Sequence, residues 1–158
     1  YGFAVAATSL VGQNLGAREP EQAYQHGLTA ARLALVVMGV IALVFLVFPS
    51  VIIAIFTRDP QVVGLGALCL RIAAFEQPAI ALEMVLAGAL RGAGDTHTPA
   101  MITVLSTWLL RIPLMYLSVY VFHLGLPAIW IITVFDWLVR ASLVIIRYRR
   151  GKWQQIAL

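Results

Sequence analysis

Long apolar runs broken by short polar segments set the plan of the chain. Leu33 to Phe56 is 24 residues without a charge, enough to cross a bilayer core of about 30 Å as a helix. Thr57-Arg58-Asp59-Pro60 is a tight turn, and 62–90 is a second full span, long enough to protrude or tilt. Residues 99–122 form a third span, His123-Leu124-Gly125-Leu126-Pro127 turns the chain, and 128–146 forms a fourth. Before them, 1–13 has the pattern of a helix end, followed by a polar connection from Asn14 to Gly27. In that connection Pro20 suits the first turn of a short helix, and Glu19 and Glu21 suit its positive end. Tyr1-Gly2-Phe3-Ala4 opens without a charged leader, as a span already under way. The chain is therefore expected to be a C-terminal fragment of a longer one.

Composition agrees with the pattern. The chain is 61% hydrophobic and 11% charged, with a mean hydropathy of +0.91. A soluble domain is roughly half apolar and a quarter charged, so this is an integral membrane protein. The single cysteine, Cys69, excludes an internal disulfide. The net charge of +4 raises a nucleic-acid reading, but four of the eleven basic residues stand in the tail 147–158: Arg147, Arg149, Arg150 and Lys152. Beside a span, such a tail is an orientation signal and a contact for anionic membrane lipid. With the tail inside, Arg18 and Arg91 are also inside and only Arg58 is outside. This positive-inside pattern places the C-terminus in the cytoplasm.

Polar residues within the spans carry the candidate chemistry. Glu76 and Glu83 are seven residues apart, which puts them on nearly one helix face. A buried acid is either neutralised by a neighbouring cation or lies on an ion or substrate path. Depth in the following antiparallel span pairs Arg111 with Glu76 and leaves Glu83 as the freer acid. Asp136 and Arg140 stand at i, i+4 with the acid first, the favourable order for an ion pair. Pro49, Pro78 and Pro113 each remove a donor inside a span and predict kinks, as hinges or as plain structure. The patches Gly64-Leu65-Gly66-Ala67 and Ala87-Gly88-Ala89 mark faces of close helix approach. Trp108, Trp130, Trp137 and Trp153 include interface anchors, and Tyr116, Tyr120 and Phe122 form an aromatic belt, an aromatic wall of a drug chamber being the other use. His26, His97 and His123 lack the spacing of a metal site. No catalytic signature is present, so enzyme chemistry and a cofactor are not expected.

Two stretches resemble a known family. VGQNLGAREPEQA (Val11 to Ala23) and GALRGAGDTHTP (Gly88 to Pro99) are similar to the two cytoplasmic-side signatures of the multidrug and toxin extrusion (MATE) transporters. The first rests on Gly12, Gln13, Gly16 and Ala17, and the second on Leu90, Arg91, Gly92, Gly94, Asp95 and Pro99. Arg111-Ile112-Pro113-Leu114 is also similar to bacterial members. The resemblance implies an all-α polytopic transmembrane helix bundle, part of the C-terminal six-helix lobe of a twelve-span transporter. This chain would supply the last four spans and the end of the eighth, with the N-terminal lobe as its missing partner. It further implies a plasma (inner) membrane antiporter exporting organic cations or amphipathic drugs in exchange for protons or sodium. In many members an acid on the tenth helix contributes to cation coupling. Counting back from Leu90-Arg91-Gly92 places it near Ile80, with Glu83 one turn closer to the cytoplasm. The competing readings are a related flippase for lipid-linked saccharides, which would need more cavity-facing cations than Arg71 and Arg111, and a self-contained four-span dimerising protein.

Overall fold

The computed structural model describes residues 1–155 and is helical almost throughout, with no strand among the described residues. The last three positions of the tail, 156–158, lie outside the described residues. Helix α1 runs Gly2–Gly16, α2 Pro20–Val47, α3 Pro49–Ala54, α4 Pro60–Ala74 and α5 Gln77–Gly92. Helix α6, His97–Leu105, continues through a widened π-helical stretch at Ser106–Arg111 into α7, Ile112–Tyr116, and a second such stretch at Leu117–Val121. Helix α8 is Leu126–Arg149, and a 3-10 turn follows at Lys152–Gln155. Among the described residues, three helices are long and apolar enough to cross a membrane: Pro20–Val47, His97–Val121 and Leu126–Arg149. Helices α4 and α5 together make a fourth, bent by 46°.

The apolar runs fall within these helices, but the ends differ for physical reasons. The polar segment Asn14–Gly27 is mostly helix. Only 17–19 separate α1 from α2, with Arg18 at a φ of +62°. Pro20 occupies the first position of α2, where a missing N–H costs nothing. Nothing between Pro20 and Pro49 stops the helix, so the expected short helix is the first turn of a 28-residue one. The run 33–56 is divided at Phe48 because Pro49 cannot continue α2 and instead starts α3. The run 62–90 is divided at Phe75-Glu76, two residues before Pro78. Pro113 follows the first π-helical stretch, where the Ile112 N–H reaches back five residues to the Thr107 carbonyl. That wider turn accommodates a ring that would clash in a regular helix.

Helix α5 is the centre of the bundle, packed by α1, α2 and α8, while α4 lies against α3, α2 and α8. The core is built from small residues, among them Ala4, Ala7, Ala30, Ala34, Ala87 and Ala89. Gly88 and Gly92 of α5 meet the backbone of α1 directly. A Cβ at Gly88 would stand 2.6 Å from the Ala4 carbonyl oxygen, and one at Gly92 would overlap the Thr8 carbonyl. The Thr8 hydroxyl, 2.9 Å from the carbonyls of both Ala4 and Gly88, shares its proton between them. Large apolar side chains such as Val36, Ile55 and Leu109 point outward. Among helices in lipid, packing of this small-residue kind replaces the hydrophobic drive that works in water.

Trp153 is a correction to the reading of the tryptophans as anchors. It is fully buried. Gly151, at a φ of +66°, turns the chain back. The indole then stacks on Tyr148 at 4.9 Å and on Tyr24 at 6.5 Å, and its Nε1 donates to the Tyr148 carbonyl at 2.8 Å. Trp108, by contrast, is exposed.

The close α1–α5 approach predicts that Gly92→Ala lowers stability by about 1–3 kcal/mol through overpacking. Gly64→Ala, where nothing lies within 4 Å, leaves it unchanged. Thermal unfolding of the purified protein in detergent separates the two.

Candidate functional site

A seam of charged and hydroxyl side chains runs through the apolar body between α5, the α6–α7 span and α8. Its centre is Asp136, fully buried on α8. The Asp136 Oδ2 is 2.9 Å from the guanidinium of Arg111 and 2.9 Å from that of Arg140, one turn along α8. The Ser106 hydroxyl donates to Oδ1, and Arg140 Nη2 donates to the Thr107 hydroxyl at 2.7 Å. Ser106 and Thr107 occupy the π-helical stretch, so its wider turn brings two neighbouring hydroxyls to α8. Arg140 also lies over the Trp137 ring, 5.3 Å from its centroid. One carboxylate thus pairs with two guanidiniums, leaving one positive charge in excess, and ties the α6–α7 span to α8.

This pairing corrects the expected Glu76–Arg111 bridge. Arg111 binds Asp136 instead, and Glu76 lies in the field of Arg111 without an ion pair to it. Depth matching does not supply the direction of the bend near Pro78. The bend puts Glu76 at the break, as the residue preceding α5, with its Oε2 buried and unpartnered. Thr133, whose hydroxyl donates to the Trp130 carbonyl at 2.7 Å, stands beside it.

Glu83 lies two turns into α5 and is 7% exposed. Three ion pairs exist among the described residues, and Glu83 belongs to none of them. Arg140 and then Arg91 are the cations that act on it, with Asp136 opposing. Its carboxylate faces a cavity of about 310 Å³ between α5 and α6, lined also by Arg91, Thr96, Pro99 and Thr103. The Arg91 Nε is held by the Ala87 carbonyl at 3.0 Å.

The glycine-rich turn closes this end of the seam. Gly94, at a φ of +83°, makes the reversal after α5, a conformation side chains resist. The buried Asp95 then does two things. Its Oδ1 accepts from the Thr98 N–H at 3.2 Å, capping α6, and its Oδ2 accepts from Arg147 Nε at 2.7 Å. Arg147, counted in sequence as a tail charge, is therefore a latch between the turn and α8. Gly12 packs against this region, where an added Cβ would stand 3.0 Å from the Gly92 carbonyl. The Gln13 carbonyl accepts the Ala17 N–H at 2.9 Å to finish α1. Gly16, the last residue of α1, faces open space.

The groups missed in sequence are Ser106, Thr107, Thr133 and the Asp95–Arg147 latch. Hydroxyls at 106 and 107 inside an apolar run were the available signal. The latch spans 52 positions and has no local signature. Among the described residues no group of three or more His, Cys, Asp or Glu could hold a metal.

Removing the Asp136 carboxylate strands two guanidiniums. Asp136→Ala is expected to cost about 3–5 kcal/mol, read as a collapse of folded yield, whereas Arg58→Gln in the exposed turn stays within about 0.5 kcal/mol. The latch predicts a pH dependence. Burial pushes the Asp95 carboxyl up, but the bonds from Thr98 and Arg147 outweigh it and hold the group below its ordinary value. Its contribution is thus fully present above the unfolded pKa of about 3.9 and is lost as pH falls through the lower folded value. Asp95→Asn should lower the thermal midpoint at neutral pH and leave a smaller difference from the parent in acid.

The MatE family model matches residues 1–117 of the chain. A probable multidrug resistance protein NorM of Thermotoga maritima is 34% identical over 99% of this chain and 34% of its own length. The multidrug resistance protein MdtK of Yersinia pseudotuberculosis is 31% identical over 93% of this chain and 33% of its own length. The chain therefore spans about a third of the length of the relatives it matches. A MOP superfamily transporter from Pyrococcus furiosus, whose binding pocket is described as of reverse polarity, superposes with a TM-score of 0.86 at 23% identity, over 98% of this chain and 35% of that one. An inward-facing MATE transporter superposes at 0.83 and 22%, over 93% and 34%. Two signature turns, one lobe-like bundle and a family match over most of the chain agree: the chain belongs to the MatE family of transporters.

Proposed function

We propose that this chain is the C-terminal portion of a secondary antiporter that exports cationic or amphipathic small molecules in exchange for protons or sodium. The observation that carries the reading is Glu83. It is a buried carboxylate in none of the ion pairs among the described residues, and it lines a cavity near a charge cluster that carries one positive charge in excess. An intramembrane acid of that kind is costly to keep and suits binding and release of a cation. Glu76, with its unpartnered oxygen at the α4–α5 bend, is the second such acid. Arg111, Asp136 and Arg140 tie the α6–α7 span to α8.

Substrate passage on this reading needs a second lobe across the cavity, supplied by the rest of the transporter. The protein sits in the plasma (inner) membrane with the signature turns and the C-terminus in the cytoplasm. The excess of basic residues on that side favours this orientation. No cofactor enters the scheme.

The test uses the intact transporter in vesicles loaded with a fluorescent organic cation. An imposed proton gradient or an imposed sodium gradient, but not both equally, drives efflux. Glu83→Gln abolishes the coupled component while leaving the protein folded. Full retention in Glu83→Gln would remove Glu83 from the path, and no efflux under either gradient would count against export of organic cations.

A further inference from the structure

A separate cavity lies where α2, α5 and α8 meet near the tail. Its volume is about 180 Å³. Leu28 and Ala31 of α2, Leu82 and Leu86 of α5, and Ile145 of α8 make its walls apolar. One end is different: Tyr24, in the first turns of α2, and Tyr148 and Arg149, at the end of α8, stand together there. A groove with an apolar body and a cationic end matches an amphipathic anion.

The cationic end is held in place. Trp153 is stacked into the Tyr24–Tyr148 pair, and the Tyr148 hydroxyl donates to the Tyr24 carbonyl at 2.9 Å. Arg150 and Lys152, which follow Arg149 up to the docked 3-10 turn, are exposed. Arg147 is committed to Asp95, so Arg149, Arg150 and Lys152 carry unshared charge; none of them is in an ion pair among the described residues. Arg32, exposed on α2 one turn from Leu28, adds a fourth cation whose stem can lie along the helix.

We propose that this groove binds one anionic phospholipid, with an acyl-chain segment against Leu28, Leu82 and Ile145 and the phosphate at Arg149 and Arg150. Charge complementarity selects the occupant. A zwitterionic lipid would leave the excess positive charge unmatched, and a free phosphate would leave the apolar walls unused. Such a lipid would pin the ends of α2 and α8 together on the side that the aromatic stack already joins.

The intact protein, delipidated in detergent, is titrated with phosphatidylglycerol and separately with phosphatidylcholine, and bound lipids are counted by native mass spectrometry. One phosphatidylglycerol is expected to be retained preferentially. Arg149→Gln and Arg150→Gln should each weaken it by roughly fivefold, the loss typical of one basic residue at an anionic surface, with Arg58→Gln as the charge-matched control. Leu28→Trp, which fills the groove at a half-buried position, should weaken both lipids. Inorganic phosphate should not displace the bound lipid. Equal retention of the two lipids, no effect of Arg149→Gln and Arg150→Gln, or an effect of Arg58→Gln as large as theirs would overturn the proposal. None of these readouts depends on transport.

Discussion

A carboxylate with no exposure to solvent, set among apolar helices, has to be neutralised where it stands. Asp136 meets that constraint with two guanidiniums and a hydroxyl, and the consequences reach most of the bundle. The α6–α7 span buries little of itself and rests chiefly on α8. Apolar contact could not fix its register, because lipid tails compete for the same surface. A charge pair has no such competitor in the bilayer core. The register of α7 against α8 is therefore set by Arg111 and by the π-helical turn that delivers Ser106 and Thr107. Asp95 and Arg147 repeat the device at the end of the span.

The other half of the bundle is held by a different kind of contact. Between α1 and α5 there are no ion pairs among the described residues; backbone meets backbone across Gly88 and Gly92, and the Thr8 hydroxyl bonds the Gly88 carbonyl. The signature turns bring these two devices together. Gly12 of the first signature packs on Gly92 of the second, and three residues later Asp95 latches α8. The glycines and the acid of one short sequence thus serve close packing on one side and charge pairing on the other.

Much of this was legible in the chain itself. Spans follow from uninterrupted apolar length, and the Asp136–Arg140 pair follows from its i, i+4 spacing, since both signals are local. Span ends were less legible, because the membrane stops at the interface while a helix does not. The first turns of α2, with Glu21 and Gln25 bonded to each other at 2.9 Å, continue beyond the apolar run. The partner of Arg111 was not legible at all. Assigning it by depth requires knowing that α4 and α5 diverge by 46°, and a proline marks where a bend can occur without giving its direction. Trp153 was misplaced for a related reason. An indole near a membrane end looks the same in sequence whether it meets headgroups or, after a glycine reversal, a pair of tyrosines.

The commitment of both central arginines to Asp136 bears on the two remaining acids. Had Arg111 paired with Glu76, one acid of α5 would have been neutralised and Asp136 left with Arg140 alone. As built, Asp136 takes both Arg111 and Arg140, and Glu76 and Glu83 have no ion pair among the described residues. They differ in surroundings. Glu76 is enclosed at a bend, with one oxygen facing no donor, so a change in its charge acts on the geometry between α4 and α5. Glu83 borders a cavity that Arg91 and Thr103 also line. On the proposed reading, exchange occurs at Glu83, beside that cavity, while Glu76 stands at the α4–α5 bend.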